Sequence, residues 1–283
     1  MTAGADGGKP RRGSSGSSFH FSFGILPPPA RRAIEAVYGY CRAVDDVVDA
    51  RPIDTLRAAR LLREYREDLA RCWTGEPNRP VLRDLQWAVR EFGLPRGPLE
   101  EILDGVAMDL DRSRYATFDD LRQYCLRVAS AVGIVCLSIF RCRHPQSRDY
   151  ATALGIALQL TNILRDLKSD AGRGRIYVPL DEIAAFGYSE VELLRGARTP
   201  AFLDLMRHQA GRARRYFDEA ARLLPGEDRP RLLAAEVMAA IYRRLLRRIE
   251  ATGYRVFDRR LAVPRLTQIG LALQARVTGQ VAR

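Results

Sequence analysis

Lysine is almost missing from this chain. It occurs only at Lys9 and Lys168, so nearly all of the 46 basic residues are arginine. Histidine is scarce too, at His20, His144 and His208. None of the three stands at metal-ligand spacing from another His or Cys, which argues against a zinc site. Cys41, Cys72, Cys125, Cys136 and Cys142 form no C-x-x-C pair and are odd in number. They read as thiols kept in a reducing compartment, not as a disulfide framework. No apolar run has the length of a membrane-spanning helix. The longest, Val128 to Phe140, is closed by Arg127 and Arg141. The N-terminus lacks the apolar core of a secretory signal. No segment alternates apolar and polar residues long enough to build a sheet.

What remains is the balance of a globular protein. The chain has 283 residues, 47% hydrophobic and 28% charged. Its formal charge is 46 − 34 = +12. Guanidinium groups grip phosphates bidentately, so an arginine-rich chain suits nucleic acid, anionic lipid or a small diphosphate. Both signs of charge are interspersed along most of the sequence, which weighs against the concentrated basic stripe of a nucleic-acid binder.

Residues 1–17 carry no apolar side chain after Ala5 and read as a flexible tail ahead of one domain over 18–283. From Phe19 onward the periodicity is helical. Pro27-Pro28-Pro29 marks a helix start, and apolar residues at Ile34, Val37, Tyr38, Cys41 and Val44 continue it to Ala50, before Pro52. Further helices are expected near 54–73, 79–92, 97–111, 117–141, 146–169, 199–224, 229–252 and 264–281. Asp54 and Thr117 look like capping residues. The expected fold is all-α, a single domain.

The chemistry concentrates on two of these helices. Asp45-Asp46-Val47-Val48-Asp49 places Asp45 and Asp49 on one face. It does so near a helix C-terminus, where the macrodipole disfavours negative charge. A solvated acidic helix end is the bland reading of that motif alone. A second row, Asn162, Asp166 and Asp170, repeats at i, i+4 and i+8, with Gln159 one turn earlier. It emerges from a strongly apolar helix, where polar groups cost free energy unless they bind something. Two oxygen-rich rows facing one cavity suit Mg²⁺, which completes its shell with substrate phosphates. Arg42, Arg165, Arg173 and Arg175 stand beside these rows, either as ion-pair partners or as groups that stabilise leaving-group charge. Tyr38 and Tyr40 read either as core aromatics or as site residues. Small residues at Ala129, Ala131, Gly133, Gly155 and Ala157 either pack helices closely or leave room for a chain.

These segments resemble the squalene/phytoene synthase family. Ser18-Phe19, Leu26-Pro27 and residues 38–49 (YGYCRAVDDVVD) are similar to its first signature. Residues 159–170 (QLTNILRDLKSD), followed by Gly174 to Pro179, are similar to its second. Tyr124 to Ala129, ending at Gly133, resembles its central helix, and the match runs from about residue 18 to 262. The resemblance implies a trans-isoprenyl-synthase bundle around a central cavity and head-to-head (1′–1) condensation of two allylic diphosphates. It implies Asp45, Asp49, Asn162, Asp166 and Asp170 as ligands of two or three magnesium ions, with Asp46 pointing off that face. It implies Ser18, Arg42, Gln159 and Arg165 as contacts of the diphosphate or its metal shell. Tyr38, Tyr124, Tyr177 and Tyr242 fall where the family places tyrosines near the reacting carbons. One departure is visible: Lys168-Ser169 stands where many relatives carry an acidic residue.

The stretch from Ala240 to Phe257 is most similar to bacterial hopanoid-pathway enzymes. It implies two farnesyl diphosphates as substrates, presqualene diphosphate as product, and no requirement for NADPH. Phytoene, dehydrosqualene and squalene synthases share the motifs and remain the alternatives. A scaffold that has lost catalysis and an arginine-rich nucleic-acid binder are the rivals outside this chemistry. A cytoplasmic protein is expected, with peripheral contact at the inner membrane face, because substrate and product both carry long apolar chains.

Overall fold

A computed structural model describes residues 22–49 and 54–281. The expected tail and Ser18 lie outside the described residues. Among the described residues, nine long helices appear where periodicity places them. They are α1 (Pro28–Asp49), α2 (Thr55–Thr74), α3 (Pro80–Phe92), α4 (Arg96–Asp111), α5 (Phe118–Ile139), α6 (Ser147–Gly172), α9 (Pro200–Leu223), α10 (Leu233–Ala251) and α11 (Arg265–Thr278). Two short helices between α6 and α9, α7 (Leu180–Ala185) and α8 (Glu190–Leu194), were not expected from periodicity. At five or six residues they are too brief to show a helical repeat. The α6 helix runs past the expected end near 169, so Asp170 is helical.

Local signals set the ends. Asp54 caps α2 by accepting the Arg57 amide. Thr117 and Asp120 form a reciprocal capping box that opens α5, satisfying amides that a helix start leaves without partners. At the end of α3, Gly93 adopts a left-handed conformation (φ 64°) that a side chain would disfavour.

The centre of the bundle is α5, held between α4 and α6. Its middle winds as a π-turn over Leu126–Ser130. Gly105 of α4 and Gly155 of α6 press on this turn from their own helices. A Cβ on Gly155 would lie 2.6 Å from Ser130 Cα, and one on Gly105 2.7 Å from Val128 Cγ1. Ser130 Oγ donates to the Thr152 carbonyl at 2.8 Å, tying α5 to α6. By length and composition α5 could cross a bilayer, and only 39% of its most apolar window is buried. Val128, Ala129, Val132, Gly133, Cys136 and Leu137 of this helix line an internal cavity.

Among the described residues the single β feature is a bridge between Arg114 and Ile176. Ile176, Leu180 and Asp181 donate their amides to the carbonyls of Ser113, Tyr115 and Ala116. This short ladder fixes the segment after α6 against the segment after α4. It sets the positions of Arg175 and Tyr177.

Candidate active site

The cavity has a volume of about 270 Å³. Its walls are mainly apolar, from α1, α5, α6 and α10. Polar groups gather at one end, where Asp45 on α1 stands with Gln159 and Asn162 on α6. One member of each row, Asp45 and Asn162, therefore lines the same chamber, while Asp49, Asp166 and Asp170 follow beyond it on the same two helices. Phe23 and Phe140 stack with ring centroids 6.4 Å apart and belong to the same wall.

Each row has one carboxylate neutralised by arginine. On α1, Asp49 takes Arg173 at 3.1 Å and Arg175 at 3.2 Å. On α6, both oxygens of Asp166 are held by Arg165. Arg260 grips the same two oxygens at 2.9 and 3.2 Å. Burial alone would raise the Asp166 pKa, but these hydrogen bonds outweigh it and hold the carboxyl below its ordinary range. Each row also has one carboxylate whose pKa is pushed well up. Asp45 is accessible from the cavity yet ringed by protein. That desolvation, with the charges of Asp49, Asp109 and Asp46, pushes its pKa up to about 7. Burial and the Asp166 charge push Asp170 up to about 7, against the pull of Arg173 and Arg175.

Between the rows lies Asp109 of α4, which the sequence reading missed. The Tyr177 hydroxyl donates to it at 2.8 Å and the Tyr124 hydroxyl at 3.2 Å. Arg175 stands 3.7 Å away and also donates to the Val48 and Asp109 carbonyls. Burial raises the Asp109 pKa, while Arg175 and the two phenols oppose the rise. A signal was available: Asp109 follows Ile102 and Val106 at i+7 and i+3, an acid on an otherwise apolar helix face. Arg260 was also missed, and its irregular loop offers no periodic signal.

The structure divides residues that the sequence grouped. Tyr38 and Tyr242 line the apolar cavity. Tyr124 and Tyr177 instead stack at 5.1 Å over Asp109, with Tyr115 against both rings. Tyr40 is core, donating to the Leu99 carbonyl at 2.9 Å. Arg165, expected to contact the diphosphate or its metal shell, is buried with its guanidinium on Asp166. Arg42 lies 3.9 Å from Asp46, which points outward as expected. Gln159 accepts from the Asn162 amide at 3.3 Å. Among the small residues, Ala129, Gly133 and Gly155 border the cavity, whereas Ala131 and Ala157 are buried in packing.

The donor set fits a hard divalent cation. Asn162 Oδ1 is buried with no hydrogen-bond partner; Asp45 lines the same cavity, and Asp170 follows on the same face of α6. No group of three described His, Cys, Asp or Glu side chains already forms a cage. Asp49 and Asp166 would have to exchange arginine for metal.

A helical bundle with two acidic rows over an apolar chamber defines a synthase of the isoprenoid type. Residues 13–267 match the family described as squalene/phytoene synthase, and the chain belongs to that family, which joins prenyl diphosphates head to head. It is 37% identical to a phytoene synthase of Arthrospira platensis over 263 residues, covering 87% of this chain and 84% of the relative. It is 36% identical to a 15-cis-phytoene synthase of Synechocystis sp., covering 87% and 77%. Among solved structures, squalene synthase HpnC from Alicyclobacillus acidocaldarius superposes with a TM-score of 0.75 at 30% identity, over 83% of this chain and 89% of that one. A dehydrosqualene synthase solved with a ligand gives 0.78 at 29% identity, over 92% and 91%.

Proposed function

We propose that the protein condenses two farnesyl diphosphates to presqualene diphosphate and pyrophosphate, without NADPH. The observation that carries this reading is the single chamber with Asp45 and Asn162 at one end and the Phe23–Phe140 stack in its wall. From Ile34 to Asp45 the lining of α1 extends eleven residues, or about 16 Å at about 1.5 Å per residue. That length accommodates a prenyl chain lying along the helix.

Asp45, Asp49, Asn162, Asp166 and Asp170 would hold magnesium, which supplies Lewis-acid neutralisation of charge building on the departing pyrophosphate. Arg165, Arg173, Arg175 and Arg260 stand where they can turn from carboxylate to diphosphate. Ionisation of the donor's C1–O bond leaves an allylic cation, and the apolar wall excludes the water that would quench it. The C2=C3 double bond of the second substrate attacks that carbon, and loss of a proton closes the cyclopropane. The second diphosphate stays in the product. Tyr38 and Tyr242 line the chamber where the chains would lie, and Tyr124 and Tyr177 are held over Asp109 at the acidic end.

A second reading, two geranylgeranyl diphosphates to a phytoene-type product, is favoured by the phytoene synthases among the curated relatives. Mass spectrometry of the lipid product tests both, with each diphosphate supplied alone plus Mg²⁺, with and without NADPH. A cyclopropyl C30 diphosphate from the C15 substrate is expected. Turnover confined to the C20 substrate would replace the first reading with the second. Squalene formed only with NADPH would make the protein a full squalene synthase.

A further inference from the structure

The C-terminal helix α11 is built unlike the rest of the surface. Its inward face, Gln268, Leu271 and Ala275, is buried and packs against α10. At 100° per residue, Leu266, Ile269, Leu273 and Val277 fall together on the opposite, outward face. Seven large apolar side chains are exposed among the described residues, and four of them lie on this one helix, against two on the short α8. Leu266 is 83% exposed and Val277 84%. Apolar groups on both faces of a helix, with one face already packed, leave a patch that water does not favour.

The charges on this helix point to what covers it. It contains no acidic residue, and its two charges, Arg265 and Arg276, are both exposed. They flank Ile269 at i−4 and i+7, so both border the same edge of the apolar stripe. An apolar face edged by arginine is the pattern of a helix lying at an anionic bilayer surface. Its position fits as well. Arg265 follows Arg260 by five residues, at most about 18 Å of extended chain, and Arg260 is bonded to Asp166 at the acidic end of the cavity.

We infer that the outward face of α11 docks this protein on anionic lipid bilayers, through Leu266, Ile269, Leu273 and Val277 with Arg265 and Arg276 at its edge. The use made of such docking rests on the prenyl diphosphate reading above; the docking itself is measured without turnover, so either can fail alone. The experiment is co-sedimentation of the full chain with vesicles of phosphatidylglycerol and phosphatidylcholine, against vesicles of phosphatidylcholine alone. Wild type is expected to bind the anionic vesicles. The L266E/V277E double variant should bind them at least tenfold more weakly. The R265A/R276A variant should lose binding to anionic vesicles only. Circular dichroism and turnover of detergent-dispersed substrate should be unchanged in both, since these side chains already face solvent. Equal vesicle binding by wild type and L266E/V277E would overturn the proposal, as would wild type that ignores vesicles. Light scattering that finds a wild-type dimer abolished by L266E/V277E, with no vesicle binding, would assign the face to a second copy instead.

Discussion

The two acidic rows are alike in plan and unlike in how they are held. In each, one carboxylate is bound by a pair of arginines and another is left crowded with a pKa near 7. On α6 one clamp, Arg165, is the neighbour in sequence of the acid it holds and is buried with it. On α1 both clamps come from the segment after α6, more than a hundred residues away. The α6 row is thus organised largely by its own helix, whereas the α1 row depends on the ladder that fixes residues 176–181. The ordering cost of the α1 row is carried by the fold.

The comparison yields tests of falling size. The largest effect should come from Asp45→Ala and Asp166→Ala. Removing a ligand from either row should cut turnover by about 10³-fold or more, on the order of 4 kcal/mol of barrier, with helical circular dichroism unchanged. Product formation at wild-type rate by either variant would remove the ligand assignment. Next is Arg175→Ala. It leaves Asp109 buried without its cation and strips one clamp from Asp49, so a loss of about 3–5 kcal/mol in unfolding free energy is expected. Arg260→Ala acts on the α6 row, where Arg165 remains and Arg260 is half exposed; about 1 kcal/mol or less is expected. Denaturant titration of the two variants side by side measures the asymmetry, and equal losses would erase it.

A smaller effect concerns pH. Asp45 and Asp170 have folded pKa values raised from the ordinary carboxylate range to about 7. The folded state then holds more protons than the unfolded state between about pH 4 and 7. Metal-free stability should therefore fall as pH rises through that window. Magnesium needs the ionised carboxylates, so its half-saturating concentration should fall with rising pH. Asp45→Asn should flatten the stability slope, which thermal unfolding across pH would show. Outside the rows, Gly155→Ala forces a methyl to 2.6 Å from the Ser130 backbone and should cost about 1–3 kcal/mol.

Much of this was legible beforehand. Long amphipathic helices declare themselves by periodicity, and Asp54 and Thr117 by cap chemistry. The two motif rows could be placed on single helix faces by counting. Asp109 was legible in principle, as an acid interrupting an apolar stripe. Arg260 was not, because a loop residue's reach is set by the chain around it. Nor was the division of the four tyrosines, since Tyr124 and Tyr177 meet at 5.1 Å from helices and loops 53 residues apart.

The amino-acid order alone determined the helices, their caps, and which side chains share each face, because spacing of 3.6 residues per turn is a local property. Tertiary structure decided which arginine neutralises which carboxylate, and which acids are left crowded enough to titrate near neutrality. Desolvation and charge coupling depend on distances through space, and those exist only once α1, α4 and α6 have packed around the same cavity.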